Sequence, residues 1–423
     1  MADGHKVLLS TGPDEEPKRV SAIACEALFS GEPQWRLLEE FGAEARERVV
    51  RVISELLAKN PDTCLDHEPE WLTETARSNG GEVKLYLCTG GDGRLMGYAP
   101  FLVHPTALSF SYGSWTPYEY RIRRFSLTGQ PLLVEDGASA DYLVTSLLAR
   151  VRRDLVGRDV LFGYGVRLDS AFGRAVSSAA TRRLFHVLPH GPIYRRRLLR
   201  LPGNVDEYMG LLGTKTRQEL RRQERRLMKE TGGDVRVSVY SGAGSVGGFL
   251  DAVGKVSDRT WQWKQMRAGV RDNERTRQHF ENVAAHGWLR GYVLHCRGTP
   301  AAFMVGYLYR SVYYSETIGY DPAWGEWSIG NMLHVHVVRD LTENRVGAQW
   351  FDFLGTDNPN KERLSTEWRA EGNFYFVPRT ARWAALVWAF RAFDKGTREV
   401  NALLERAGIK SRVKRFLRRR AAG

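Results

Sequence analysis

The chain has 423 residues, with 62 lysines and arginines against 49 aspartates and glutamates, a formal net charge of +13, and 43% hydrophobic residues. That apolar share, with 26% charged residues, describes a folded globular protein and excludes disorder as its main state. The surplus of positive charge suggests an anionic partner without saying which. The length suggests two or three domains, each able to bury its own core. Cys25, Cys64, Cys88 and Cys296 lie far apart, without the paired spacing of a disulfide framework or a zinc site, which fits a reducing, cytoplasmic compartment. The longest uncharged apolar-rich stretch, Thr299 to Tyr309, is about half of the roughly 20 residues a membrane-spanning helix needs. Residues 1–20 do not read as a secretory signal and are expected to form a flexible leader.

Along the chain, apolar positions at intervals of three and four predict a helix over 34–60, stopped by Asn60-Pro61. From Glu82 the pattern alternates: EVKLYLC, a Gly-Gly-Asp-Gly turn at 90–93, and RLMGYAPFLV predict a hairpin. Strands follow at ALSFSYGSW and RRFSLTG, then a helix from about Asp141 to Leu155 and a strand at 159–166. The second half repeats this order. A basic helix at 214–230 leads to the strand VRVSVY and to helices at about 248–263 and 274–286. Three consecutive strands, LRGYVLHCRG, TPAAFMVGYLYR and SVYYSETIGY, precede a helix at 329–344 and the strand QWFDFL. Neither half alternates strand and helix for long, which disfavours a doubly wound sheet and favours two related α+β domains in tandem. The expected boundaries are 21–193 and 194–380, with a basic amphipathic helical tail at 381–423.

The loop Gly242 to Gly247 has the glycine spacing of a dinucleotide fold but lacks a following parallel strand that ends in an acidic residue, so it reads as a connector. No Gly-x-Ser-x-Gly elbow or evident cysteine–histidine pair supports nucleophilic catalysis. His334 and His336 stand two apart on a predicted helix, face different ways, and read as core histidines; no metal site is expected.

Residues 311–355 carry most of the chemistry: strand, loop, helix, strand. Ser328, Ile329, Gly330 and Asn331 open the helix, where free N–H groups and the positive dipole end suit phosphate oxygens. Glu316 interrupts an aromatic strand and Asp352 lies between Phe351 and Phe353. Carboxylates so placed are costly unless paired or functional, and either could serve as a general base. The alternatives are an ion pair with an arginine for Glu316 and a hydrogen bond to the loop at 355–358 for Asp352. On the basic helix, Arg217, Arg221 and Arg225 share one face and could hold phosphates or an anionic substrate, or form a solvated surface.

These pieces, in this order, resemble the GCN5-related N-acetyltransferase (GNAT) fold, and in particular the CelD/BcsL-type acetyltransferases associated with cellulose and exopolysaccharide biosynthesis. The resemblance rests on Thr216-Arg217-Gln218-Glu219-Leu220-Arg221-Arg222, Arg259-Thr260-Trp261, Tyr313-Tyr314, Gly319-Tyr320-Asp321, the Ser328–Gly330 turn, and Phe351-Asp352-Phe353-Leu354-Gly355 with Lys361 and Trp368 beyond. It covers about residues 195–370, and the first half only by pattern. It implies tandem GNAT-like domains, each a mixed, mostly antiparallel sheet flanked by helices, the first degenerate. It also implies acetyl-CoA or another acyl-CoA as co-substrate, with no permanently bound cofactor, and pantetheine between the strands at 312–320 and 349–354. Arg217, Arg221, Trp261, Tyr313, Lys361 and Trp368 would then line the substrate. The phosphate turn departs from the usual pattern, with Glu326-Trp327 where a basic residue and more glycines are usual.

The function this implies is transfer of an acyl group to an amine or hydroxyl of a sugar-linked or cell-envelope acceptor. The same tandem architecture also admits a Fem-type peptidyltransferase that uses aminoacyl-tRNA, or a non-catalytic polysaccharide-binding scaffold. Residues 395–423 carry a net +8 and residues 194–230 a net +6, so the remainder is near neutral and a general affinity for nucleic acid is not expected. The tail instead suggests peripheral contact with an anionic membrane at its cytoplasmic face.

Overall fold

The computed structural model describes residues 33–112, 115–134, 137–260, 270–355 and 357–406. The first half runs β1 (Gln34–Leu37), α1 (Ala43–Lys59), α2 (Pro69–Asn79), β2 (Glu82–Thr89), β3 (Leu95–Tyr112), β4 (Trp115–Thr128), β5 (Leu132–Leu133), α3 (Gly137–Asp154), β6 (Asp159–Arg167), α4 (Ala171–Ser177), α5 (Ala179–Leu184) and β7 (Phe185–Pro189). The second runs β8 (Tyr194–Arg200), α6 (Val205–Leu211), α7 (Thr214–Thr231), β9 (Val235–Tyr240), α8 (Val246–Ser257), α9 (Glu274–Ala285), β10 (Gly291–Cys296), β11 (Thr299–Tyr309) and β12 (Val312–Tyr320). It continues through α10 (Ile329–Glu343), β13 (Trp350–Asp352), α11 (Pro359–Leu364), β14 (Glu367–Pro378) and α12 (Ala381–Arg406).

One sheet joins the halves, in the order β1-β2-β3-β4-β6-β14-β8-β13-β12-β11-β10-β9, with β5 against β3 and β7 against β14. Read inward from both edges, the same unit appears twice: antiparallel strands, a crossover helix, and a strand parallel to the last of them. It is β4-α3-β6 in the first half and β12-α10-β13 in the second. At the centre β8 and β14 lie antiparallel, so the last strand of the second half pairs with β6 and β7 of the first. Helices cover both faces of the second half. Leu220 and Leu227 of α7 and Leu333 and Val337 of α10 pack on one face with Tyr292 and Phe351. On the other, Phe249 and Val253 of α8 and Phe280 of α9 pack with Phe303, Val305 and Tyr314.

Local chemistry accounts for most element ends. Helix α7 buries Leu220, Gln223, Leu227 and Thr231 as one stripe and stops at Gly232, whose φ of 64° suits glycine. Its arginines at 221 and 225 face solvent. The expected helix over 34–60 begins later, because Gln34–Leu37 pair with Tyr86–Thr89 as an edge strand. Trp35 is buried there, and its indole N–H donates to the Leu143 carbonyl at 2.9 Å. The glycine loop after β9 is a short turn into α8, and β9 runs antiparallel to β10, so the connector reading holds. At the C-terminus, 381–406 form a single helix whose Trp383 and Val387 pack on the first half. Residues 407–423 of the basic tail lie outside the described residues.

Candidate active site

The parallel pair β12–β13 is short. Val312, Tyr313 and Tyr314 face Trp350, Phe351 and Asp352, and beyond them the two chains part. In the first half, β4 and β6 stay paired through Thr128, the last residue of β4. The opening therefore belongs to the second half. Just past it, β12 carries a bulge: Gly306 pairs with Ser315 and Val305 with Thr317, which leaves Glu316 without a cross-strand partner. Glu316 lies on the same side of β12 as Val312 and Tyr314, as the alternation of a strand requires, and all three line one cavity.

That side is a cavity of about 840 Å³ between the halves. Its walls come from the α1–α2 loop, α2, the turn after β4 and strand β6 of the first half, and from β8, α9, β11, β12, β13 and β14 of the second. Trp71, Tyr164, Tyr194, Tyr307, Tyr314 and Trp350 stand among charged residues of both signs in the lining.

Asp352 is 2% exposed and fully engaged. Arg196 of β8 grips it as a fork, with Nε at 2.9 Å from each carboxylate oxygen and Nη2 at 2.7 Å from Oδ2. The Leu354 N–H donates to Oδ1 at 2.9 Å. Arg196 also faces Glu371, which is completely buried and accepts from Arg369 Nε at 2.6 Å and from the Tyr194 hydroxyl at 3.3 Å. Two carboxylates and two guanidiniums thus compensate one another in the interior, as buried charges must. Burial opposes the charge on Arg196, but the carboxylates of Asp352 and Glu371 outweigh it and keep that guanidinium protonated.

Glu316 has the opposite setting. It makes no hydrogen bond or ion pair among the described residues and keeps surface open to the cavity. The surrounding walls push its carboxyl above the usual range, Asp66 adds to the shift, and Arg196 opposes it. A partly desolvated, unpartnered carboxylate of this kind suits a general base. The ion pair with an arginine weighed for Glu316 belongs to Asp352 instead, and the Glu316 side chain has no partner among the described residues.

Ser328, Ile329, Gly330 and Asn331 lie elsewhere. They open α10, and a Cβ on Gly330 would sit 3.7 Å from the side chains of Ile318 and Tyr320, so this turn flanks the outer end of β12. Ser328 is in the left-handed region, with φ of 51° and no capping hydrogen bond from its side chain. The Asn331 amide donates to Gln223 Oε1 of α7 at 3.4 Å, which joins the turn to the basic helix. Arg221 is exposed on that helix and Arg217 half-buried. Lys361 donates to the Leu354 carbonyl beside the opening, and burial lowers its pKa. Tyr313 has no exposed surface, and its hydroxyl donates to the Arg290 carbonyl at 3.3 Å; it supports the sheet, and its neighbour Tyr314 reaches the cavity. Trp368 lies on β14, outside the cavity lining, half exposed under the Arg195 guanidinium at 4.7 Å. Trp261 lies outside the described residues. His334 is a core residue, 3% exposed, its Nε2 3.0 Å from the Tyr208 hydroxyl, and burial pushes its pKa down to about 3.

Sequence reasoning missed Asp66, Trp71 and Arg196. The signal available was the polar loop Asn60-Pro61-Asp62-Thr63-Cys64-Leu65-Asp66-His67 between two helices, where loop residues on a rigid frame commonly carry function. Cys64 in that loop has its Sγ 3.2 Å from His67 Nδ1, a cysteine–histidine contact that the sequence did not make evident, and burial pushes its thiol up to about 12, which disfavours the thiolate.

Residues 214–362 match the acetyltransferase (GNAT) domain family model. Among solved structures, FemX is similar at 11% identity, over 77% of this chain and 95% of that one, with a TM-score of 0.54. A tandem GNAT protein from the clavulanic acid biosynthesis pathway is similar at 9% identity, over 82% of this chain and 100% of that one, with a TM-score of 0.47. The C-terminal domain of a putative lysylphosphatidylglycerol synthetase from Agrobacterium fabrum is similar at 13% identity, over 82% of this chain and 96% of that one, with a TM-score of 0.47. No curated protein matches the chain in sequence. Residues 214–362 thus form a GNAT acetyltransferase domain, which makes the chain a transferase, and the first half repeats the parallel strand–helix–strand unit of that domain.

Proposed function

We propose that this chain transfers an acyl group, acetyl in the simplest case, from acyl-coenzyme A to an amine or hydroxyl of a sugar-linked cell-envelope or exopolysaccharide acceptor. The observation that carries the reading is the placement of Glu316: an unpartnered carboxylate on a bulge, at the point where β12 and β13 part, facing a large cavity. The opening gives a pantetheine arm a route along β12 toward the α10 turn, where the first free N–H groups of a helix favour a pyrophosphate. Helix α7, joined to that turn through Gln223, carries exposed arginines, Arg221 among them, that supply further positive charge.

In this reading the acceptor occupies the cavity and Glu316 takes the proton from its nucleophilic nitrogen or oxygen. The nucleophile attacks the thioester carbonyl, the bulged backbone offers N–H groups to the oxyanion, and the tetrahedral intermediate expels the coenzyme A thiolate, which takes up a proton. Asp352 acts at one remove, by holding Arg196 at the cavity floor. The acceptor class rests on the resemblance of the motif order to the CelD/BcsL type. Cytoplasmic location with peripheral membrane contact through the tail is consistent with the 74% exposure of Trp388 on α12, and no helix among the described residues is long and apolar enough to cross a membrane.

Calorimetry of the purified chain with acetyl-CoA, followed by detection of free thiol when candidate acceptors are added, tests the donor. Saturable binding is expected, and no binding at millimolar acetyl-CoA would refute the reading. Co-purified tRNA in its place would point to an aminoacyl-tRNA donor.

A further inference from the structure

We propose that Asp66, supplied by the first half, anchors a positively charged group of the acceptor against the rings of Trp71 and Tyr307, within the cavity that Glu316 faces. The inference rests on the cavity being the acceptor site and assigns the first half a share in substrate selection.

Charge pairing around the cavity isolates two carboxylates. Asp62 is paired with Arg167 at 2.7 Å, Asp352 with Arg196, and Arg369 with Glu371. Asp66 and Glu316 make no ion pair among the described residues, although Arg196 acts on both from farther off and burial raises the Asp66 pKa, and Arg275 at the cavity wall donates instead to the Ser78 carbonyl at 3.3 Å. His67 does not compensate Asp66, because its Nε2 is turned to the Gln130 carbonyl at 2.9 Å and burial favours its neutral form. Asp66 is nevertheless held in place: Trp71 Nε1 donates to its Oδ1 at 3.1 Å. The Trp71 ring meets Tyr307 edge-on at 4.9 Å and His279 at 5.7 Å between centroids. A fixed carboxylate beside an aromatic cluster in a cavity is a setting that attracts an ammonium group, through a charge-assisted hydrogen bond and the ring faces.

Thr63 also lines the cavity, but its hydroxyl, which like the Gln130 side-chain carbonyl has no hydrogen-bond partner among the described residues, has no surface open to it. An acceptor with a cationic group, such as an amino sugar, meets the requirement at Asp66, whereas an anionic group would face two carboxylates without ion-pair partners among the described residues.

The test uses the full chain and two probes, glucosamine and its neutral counterpart glucose, with binding followed by ligand-observed NMR. Glucosamine should bind at least about tenfold more tightly than glucose, and Asp66→Asn should remove that preference while keeping the Trp71 hydrogen bond and the melting temperature. Equal affinity for the two sugars, including no binding of either, overturns the proposal, as does an unchanged preference in Asp66→Asn. If the preference depends on Asp66 while acetyl-CoA is neither bound nor consumed, the cation site stands and the acyl-CoA reading falls.

Discussion

Arg196 and Asp352 meet as a fork across two neighbouring strands, with three nitrogen–oxygen distances between 2.7 and 2.9 Å, at the place where the parallel pair of the second half ends. Both side chains are almost wholly enclosed, so neither can lose its partner to water. Asp352→Asn would leave the Arg196 guanidinium facing Glu371 alone, at 3.5 Å. Removing one member of a buried pair costs about 3 kcal/mol or more, so the variant should melt well below the parent. Activity per folded molecule should fall less than in a variant of the base, and a comparison of melting curves with single-turnover rates separates the two effects.

Glu316→Gln should behave in the opposite way. Loss of a general base costs typically 10²–10⁴-fold in rate, so acyl transfer should drop by about that factor while the fold persists. Burial raises the Glu316 pKa, so the ionised form is the one the fold disfavours. Stability linked to this group is therefore lost as pH rises from the unfolded toward the folded pKa, and the neutral glutamine should match or exceed the parent in stability at neutral pH. In the parent, kcat/KM should fall on the acid side with a midpoint above that of an ordinary glutamate. The variant should lack this limb, and an unaltered acid limb in Glu316→Gln would assign the proton to another group.

The bulge that presents Glu316 depends on Gly306. A Cβ at this position would lie 2.0 Å from the Tyr313 hydroxyl oxygen and 2.2 Å from its Cζ, far inside contact distance. Tyr313 cannot swing away, since it is enclosed by Tyr292 and Phe351. Gly306→Ala should destabilise by about 1–3 kcal/mol through overpacking and should lower kcat by displacing the strand that carries the base. Substitution of Gly325, which has room around it, provides the control and should change neither quantity appreciably.

The stretch from α7 to β13 was legible in sequence because its strands are apolar runs bounded by turns and its helices carry apolar stripes. Glu316 stood out as a charge in an aromatic strand, and the α10 turn as a helix start. The central strands were not legible. Tyr194–Arg200 and Glu367–Pro378 carry arginines and glutamates whose compensation lies on strands far away in the chain, so their local pattern looks like surface. The helix read over 34–60 took in Gln34–Leu37, whose pairing with β2 makes them an edge strand. Asp66 had no motif at all. Its significance comes from a cavity assembled by segments far apart in sequence, and only the folded chain brings those together.

The same packing defines where the basic tail can be cut. Trp383 and Val387 are 3% and 2% exposed, and Phe390 and Phe393 meet Phe110 edge-on at 5.4 and 5.6 Å, so the first half of α12 belongs to the core. Beyond Phe393 the described side chains turn outward, Leu403 with 62% exposure, and the net charge of 395–423 is +8. A chain ending at Asp394 should therefore keep its melting temperature and its acetyl-CoA binding. It should lose affinity for vesicles containing anionic phospholipid, because each basic residue near such a surface contributes about 1 kcal/mol. The contribution is electrostatic, so binding by the full chain should weaken as salt shortens the screening length. Co-sedimentation of both forms with anionic and neutral vesicles decides the point: equal recovery of the two forms on anionic vesicles would show that the tail has no part in membrane contact.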